Sequence, residues 1–196
     1  SLDGKTALDN GVSQWITSEA ARADGHAWRA RACALLTGIG TLQADNPRLT
    51  ARLADCPRQP LKVLVDSRLE ADPAARLFDG SPVLVACAIA DSERRARLTA
   101  VNAQVIELPN PQGKVDLPAL LSELARRGVN ELHAEAGYKL NGSLVRENLV
   151  DELLVYLAPM LIGQAQGMVH LAALQDLAQA RRLAFREVTQ VGEDLR

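Results

Sequence analysis

Two short stretches carry the residue types and spacing that do chemistry: Thr37-Gly-Ile-Gly-Thr41 and Glu135-Ala-Gly137. Each sets glycine directly after an apolar run and ahead of a helix-forming stretch, so a ligand can approach bare backbone and φ is free to turn positive. Thr41 is placed to cap a short helix whose free N–H groups face an anion. Glu135 differs from the other carboxylates because it closes an apolar strand beside the second turn. A carboxylate there orients a polyhydroxy substrate or manages a proton, and burial is expected to raise its pKa. The plainer reading makes it a cap for the helix after Gly137.

Further polar groups collect at strand ends and in one loop. Asp66-Ser67-Arg68 offers a hydroxyl and a guanidinium, a pair suited to a ribose phosphate and so to NADP over NAD, or else ordinary turn chemistry. In the polar loop Ser13-Gln-Trp-Ile-Thr-Ser18, Trp15 can stack on a flat ring or pack into a core. Arg29 and Arg52 are candidates for a substrate phosphate, against a plain role as surface arginines. Other chemistries lack their motif. There is no G-x-G-x-x-G, no G-x-x-x-x-G-K-[ST] and no G-x-S-x-G. His26, His133 and His170 are scattered without ligand spacing, so no bound metal is expected.

A series of elements must position these groups. Ala32–Leu36 reads as a buried strand, preceded by an alanine-rich helix from Ser18 to about Arg31 with Ser18 as cap. Leu61–Asp66, Pro82–Cys87 and Gln104–Leu108 are apolar, β-branched runs read as strands. Asp116 caps a helix with Pro118 in its first turn and Leu117, Leu120, Leu121 and Leu124 on one face, ended by Gly128. Asn130–Ala134 reads as a strand, Tyr138 to about Asn148 as a helix, and Asp151–Ala158 as another strand. The alternating run Leu183–Val191 supplies antiparallel edge strands, and residues 51–60 form a loop. Strands alternating with helices give an α/β fold with a mixed, mostly parallel sheet. Ligands of such a sheet lie beyond the carboxyl ends of the strands, where both glycine turns fall.

With 196 residues, 47% of them hydrophobic, one domain is expected to span 1–196. The formal charge of −2 provides no basic field for nucleic acid or an anionic membrane, so an anionic ligand needs local arginines. No apolar run approaches the roughly 20 residues that span a bilayer, and a cytoplasmic location follows as an expectation. Cys33, Cys56 and Cys87 are odd in number and widely spaced, as buried reduced thiols are. Both chain ends are expected to be trimmed.

Seven blocks, in order, resemble the reductase domain of riboflavin biosynthesis: Ser1-Leu-Asp-Gly-Lys-Thr-Ala7, Ser13–Ser18, Leu36–Thr41, Ala44-Asp-Asn-Pro47 with Leu49-Thr-Ala-Arg52, Val65-Asp-Ser67, Glu135-Ala-Gly137, and Leu149–Leu153 with Ala158-Pro159. The resemblance implies a dihydrofolate-reductase-like fold. It also implies NADPH-dependent reduction of the ribosyl group of 5-amino-6-(5-phosphoribosylamino)uracil to a ribityl group. Carried over by position, the NADPH contacts are Trp15, Thr41, Asp45, Ser67, Gly137, Tyr138, Lys139, Leu140, Asn141, Gly142 and Ser143. The substrate contacts are Ser13, Arg29, Leu49, Arg52 and Glu135, with Glu135 nearest the reaction. A homodimer is usual among proteins of this resemblance. In many bacterial members a zinc-dependent deaminase domain precedes the reductase, and a first strand carrying a lysine lies just upstream of Ser1. Two other readings stand beside it. One is a reductase of the same fold acting on a pterin or another small carbonyl compound. The other is a non-catalytic module that binds a nucleotide or docks on a deaminase partner.

Overall fold

The computed structural model describes residues 1–54, 56, 58–89 and 91–196. In chain order the elements are β1 (Lys5–Ala7), α1 (Glu19–Arg31), β2 (Ala34–Gly38), α2 (Ile39–Asp45), β3 (Leu61–Val65), β4 (Val83–Cys87), α3 (Ser92–Thr99), β5 (Ala103–Glu107), α4 (Leu117–Arg126), β6 (Leu132–Ala134), α5 (Tyr138–Arg146), β7 (Gln166–Gly167), β8 (Gln190–Val191) and β9 (Asp194–Leu195). Turns of 3-10 helix cover Arg76–Phe78 and Leu177–Gln179. The chain divides into two compact units, His26–Gly137 and a second formed by Ser1–Gly25 with Tyr138–Arg196.

The unit His26–Gly137 is built on a five-stranded sheet in the order β5-β4-β3-β2-β6, every pairing parallel. From β2 the chain steps outward through β3, β4 and β5, then returns to lay β6 on the other side of β2. That reversal makes the gap between β2 and β6 the switch point of the sheet, beyond whose carboxyl ends ligands settle in open α/β folds. All five residues of β2 are buried, as a strand with a neighbour on each edge and both faces covered requires. The surrounding core includes Leu35, Leu42, Leu64, Leu77, Val85 and Leu98, each such side chain worth about 2 kcal/mol when removed from water. Lys62 is enclosed in this unit, where its Nζ donates to the carbonyls of Leu77 (2.7 Å) and Asp79 (3.0 Å).

α4 follows its local signals closely. The Asp116 carboxylate accepts from the Ala119 N–H at 2.8 Å, Pro118 lies in the first turn, and Gly128 adopts φ +83° past the end. α3 has a comparable cap at Asp91, which accepts from the Arg94 N–H at 2.9 Å. Sequence patterning misses this helix because only Leu98 of its eight residues is buried.

The unit formed by Ser1–Gly25 and Tyr138–Arg196 holds two small antiparallel pairs, β1 with β7 and β8 with β9. Ser18 caps α1 through its Oγ, which accepts from the Ala21 N–H at 3.3 Å. The buried Asp194 accepts from the Ser18 N–H at 2.7 Å, tying β9 to the start of that helix. Tyr156 donates to Asp24 at 2.5 Å, and Arg196 approaches the same carboxylate at 3.1 Å.

Several expectations are corrected. The strand expected at 32–36 lies at 34–38, and the chain turns into α2 at once. Gly38 is therefore the N-cap, with φ −110°, and Thr41 lies inside the helix it was expected to cap. Neither Gly38 nor Gly40 adopts positive φ. No strand forms over 151–158 beyond a single bridge from Leu157 to Leu195. Of the run 183–191 only Gln190–Val191 forms a strand, paired with β9, and Thr189 extends the ladder by exchanging backbone hydrogen bonds with Arg196. In both stretches propensity outruns partners, and a strand without a ladder is not a strand. The expected dihydrofolate-reductase-like α/β fold, a sheet flanked by helices, is present; among the described residues the five-stranded sheet pairs in parallel throughout, and the antiparallel pairings fall in β1–β7 and β8–β9. Cys87 is buried, but Cys33 and Cys56 are partly exposed, and all three are free thiols. The loop expected at 51–60 has no helix or strand at its described residues, positions 55 and 57 lying outside them. Among the described residues no helix is long and apolar enough to cross a membrane, and no group of three or more His, Cys, Asp or Glu is placed to hold a metal.

Candidate active site at the switch point

The ends of β2 and β6 lie side by side. Leu36 pairs with Ala134, and the Glu135 N–H donates to the Leu36 carbonyl at 2.8 Å. This register brings the two glycine turns together, so a Cβ added at Gly137 would stand 3.5 Å from Thr41 Oγ1. One added at Gly40 would meet nothing within 4 Å. Both glycines thus leave bare, accessible backbone next to a hydroxyl. Thr37 Oγ1, one residue before Gly38, is buried with no hydrogen-bond partner among the described residues.

Glu135 projects from the end of β6 into a fork. Arg29 Nε donates to Oε1 and Arg29 Nη2 to Oε2, each at 2.5 Å, and His133 Nε2 lies 3.3 Å from Oε1. His133 and Glu135 share a strand face because side chains repeat every second residue. Burial alone pushes the Glu135 carboxyl up, but the Arg29 hydrogen bonds and His133 outweigh it and hold the pKa down to about 2. This reverses the shift expected from sequence. Glu135 is a permanent anion, fit to accept hydrogen bonds from substrate hydroxyls and poorly fit to exchange protons near neutral pH.

Arg29 is largely committed. Besides its two bonds to Glu135, its Nη1 donates to the Thr50 carbonyl at 3.1 Å. Arg52 is exposed, and among the described residues no carboxylate pairs with it. Its Nε donates to His26 Nε2 at 3.1 Å. Leu49 has φ +50° and is buried in the core, so a substrate meets at most its backbone; the left-handed turn directs Thr50 and Arg52 back toward α1. Asp45 ends α2 and is exposed. Half-buried Ser67, at the close of β3, accepts from the N–H groups of Ala88 and Ile89 through its carbonyl. Sequence reading missed His26 and His133. Their spacing to Arg29 on a helix (three residues) and to Glu135 on a strand (two residues) was the available signal.

The remaining expected site residues belong to the other unit. Ser13 is half-buried. Trp15 is two-thirds exposed and carries the Arg22 guanidinium 4.3 Å above its ring, so it is no core residue. Tyr138–Ser143 form the first two turns of α5. Tyr138 meets the His170 ring edge-on, Lys139 is exposed, and Leu140 is half-buried. Asn141 Nδ2 donates to the Met168 carbonyl at 3.1 Å, and Ser143 Oγ to the Lys139 carbonyl at 3.2 Å. Gly142 abuts the His170 backbone so closely that a Cβ would overlap it, a packing reason for glycine at that position. Within this unit a cleft of about 210 Å³ is lined by Lys5, Thr6, Asn141, Leu154, Tyr156 and Met168.

A parallel sheet with bare glycine backbone, a fixed carboxylate and an exposed arginine at its switch point defines an open α/β domain carrying the groups that suit a phosphorylated or nucleotide ligand. The chain belongs to the RibD C-terminal domain family, whose model matches residues 1–196. The riboflavin biosynthesis protein RibD of Bacillus amyloliquefaciens is 38% identical over 201 residues, covering 100% of this chain and 54% of that protein. A solved structure of Acinetobacter baumannii RibD has a TM-score of 0.86 at 32% identity, covering 100% of this chain and 54% of that one. The bifunctional deaminase/5-amino-6-(5-phosphoribosylamino)uracil reductase of Thermotoga maritima, at 22% identity and a TM-score of 0.78, shares the fold over 99% of this chain and 52% of its own. The chain spans about half the length of the curated relatives it matches.

Proposed function

We propose that this chain is the NADPH-dependent reductase that converts the ribosyl group of 5-amino-6-(5-phosphoribosylamino)uracil to the ribityl product in riboflavin biosynthesis, within the cytoplasm. The observation that carries this reading is the Arg29–Glu135 fork beside the exposed Arg52 at the end of β6 and β2. A fixed anion suits ribose hydroxyls, and a guanidinium without a carboxylate partner among the described residues suits a phosphate. A phosphate-free pterin would leave Arg52 without that role.

The donor set fits a dinucleotide. Bare backbone at Gly40 and Gly137, the Thr41 hydroxyl and Ser67 at the next strand end are groups that take phosphate and ribose oxygens. Asp45, in the same unit, is assigned to the same cofactor. NADPH supplies the hydride when bound. The protein's part is positional. Glu135, locked by Arg29, holds the sugar hydroxyls in one orientation, the Leu49 backbone adds a substrate contact, and Arg52 fixes the phosphate end.

The partner in solution is proposed to be a second copy of the chain. Leu177, Leu183, Phe185 and Val188 are 62–95% exposed along one segment, too much apolar surface for a lone soluble protomer. A deaminase, fused or separate, is proposed to supply the substrate. The deciding experiment follows the loss of NADPH absorbance with the phosphorylated aminopyrimidine and with its dephosphorylated form. Turnover that favours the phosphorylated compound supports the reading, and NADPH binding without turnover of either overturns it.

A further inference from the structure

His26 lies outside every block that carries the family resemblance, yet its ring touches both arginines of the site. It precedes Arg29 by three residues on α1, on the same helix face. Arg52 Nε stands 3.1 Å from Nε2, the Arg52 backbone N 3.3 Å from Nδ1, and Arg29 Nη1 3.5 Å from Nδ1. A neutral imidazole has one N–H and one lone pair, so it cannot accept at both nitrogens. The shortest of these contacts, at 3.1 Å, is the Arg52 Nε–H to Nε2, which assigns the lone pair to Nε2 and the proton to Nδ1; the Thr50 carbonyl also faces the ring. Burial first, then the Arg29 and Arg52 charges, hold the His26 pKa below its ordinary value, against Glu135 and the Thr50 carbonyl. The ring is therefore neutral at pH 7, the state in which it accepts.

We infer that His26 is a positioning residue: through Nε2 it grips one edge of the Arg52 guanidinium, so that the two Nη groups face a phosphate monoester as a preformed fork. Arg52 sits on an exposed loop, where a free arginine side chain samples many rotamers. Fixing it beforehand removes that ordering cost from the binding step. Arg29 cannot take this role, because Glu135 and Thr50 already occupy Nε, Nη2 and Nη1. The identity of the phosphate ester rests on the reductase reading; the His26–Arg52 relationship does not.

The test measures ribose 5-phosphate and ribose binding by calorimetry for wild type, His26→Leu, His26→Gln, Arg52→Ala and the His26→Leu/Arg52→Ala double variant, each checked by thermal melting. Loss of one charge-assisted contact predicts that His26→Leu weakens ribose 5-phosphate about tenfold and ribose by less than twofold. His26→Gln, which keeps a neutral acceptor, is expected to restore most of the affinity. In the Arg52→Ala background the leucine should have no further effect, the non-additivity of a residue that acts through another. In turnover the change falls on KM and leaves kcat in place. Independent, multiplying losses, equal weakening of ribose, or no rescue by glutamine overturns the inference. Ribose 5-phosphate binding with this pattern, but no NADPH-linked turnover, upholds it while defeating the reductase reading.

Discussion

Arg29 and Glu135, 106 residues apart in the chain, meet in a two-point fork with both donor–acceptor distances at 2.5 Å. The pair ties the last residues of α1 to the end of β6 and sets the charge state of the site. Because the folded pKa of Glu135 is depressed to about 2 from 4.5, its ionised form stabilises the fold above pH 4.5, and that contribution is lost as pH falls toward 2. Glu135→Gln is expected to lower stability by about 2 kcal/mol at pH 7, with the gap to wild type closing at low pH. Urea titrations at a series of pH values check this. The same variant should lose about 100-fold in kcat/KM, as the substrate loses its fixed acceptor.

Lys62 gives a pH dependence of the opposite kind. Burial lowers its pKa from 10.5, so between the folded value and 10.5 the unfolded chain binds the extra proton. Stability contributed by this residue therefore rises with pH through that window. Lys62→Met should remove the rise and cost about 1–3 kcal/mol at neutral pH, by orphaning the Leu77 and Asp79 carbonyls. Paired wild-type and variant melts across the alkaline range would show both effects.

Two glycines at helical positions should respond in opposite ways. Gly40→Ala fills open space inside α2 and gains helix propensity, so the melting temperature should hold or rise, by an amount equivalent to about 0.5–1 kcal/mol. If the cofactor lies on that face, NADPH affinity should drop about tenfold. Gly142→Ala drives a methyl into the His170 backbone and should destabilise by about 1–3 kcal/mol despite the same propensity gain. Thermal melts with NADPH titrations separate the two.

Phe185→Glu places a charge on the most exposed of the large apolar side chains, 95% accessible. In a homodimer sealed by this segment the variant should run as a monomer at concentrations where wild type is dimeric, as measured by light scattering after size exclusion. An unchanged mass would remove the segment from the interface.

What the chain discloses by inspection is what neighbours in sequence decide. The Asp116 cap, Pro118 and the leucine stripe of α4 need no tertiary knowledge, and β3 and β4 announce themselves through β-branched apolar runs. The glycine turns were legible as breaks between strand and helix, but their backbone was not. Gly38 caps α2 with ordinary negative φ, because the helix starts directly from the strand. Glu135 was legible as an exceptional carboxylate, whereas the direction of its pKa depends on Arg29, which only the sheet's register delivers. The run 151–158 illustrates the reverse case, since its strand character finds a single bridging partner at Leu195.

The strand order has a kinetic consequence. Ala34 lies beside Leu132, so the crevice is framed by the first and last strands of the sheet to emerge in chain order. Contacts of such long separation form late and slowly, and the crevice comes into being only when β6 docks. A ligand held there recognises the finished sheet alone, and at a free concentration of 100 Kd it adds about 2.7 kcal/mol to the native state by mass action. The steady-state amount of folded protein would then rise and fall with the supply of any such ligand, without any dedicated regulator.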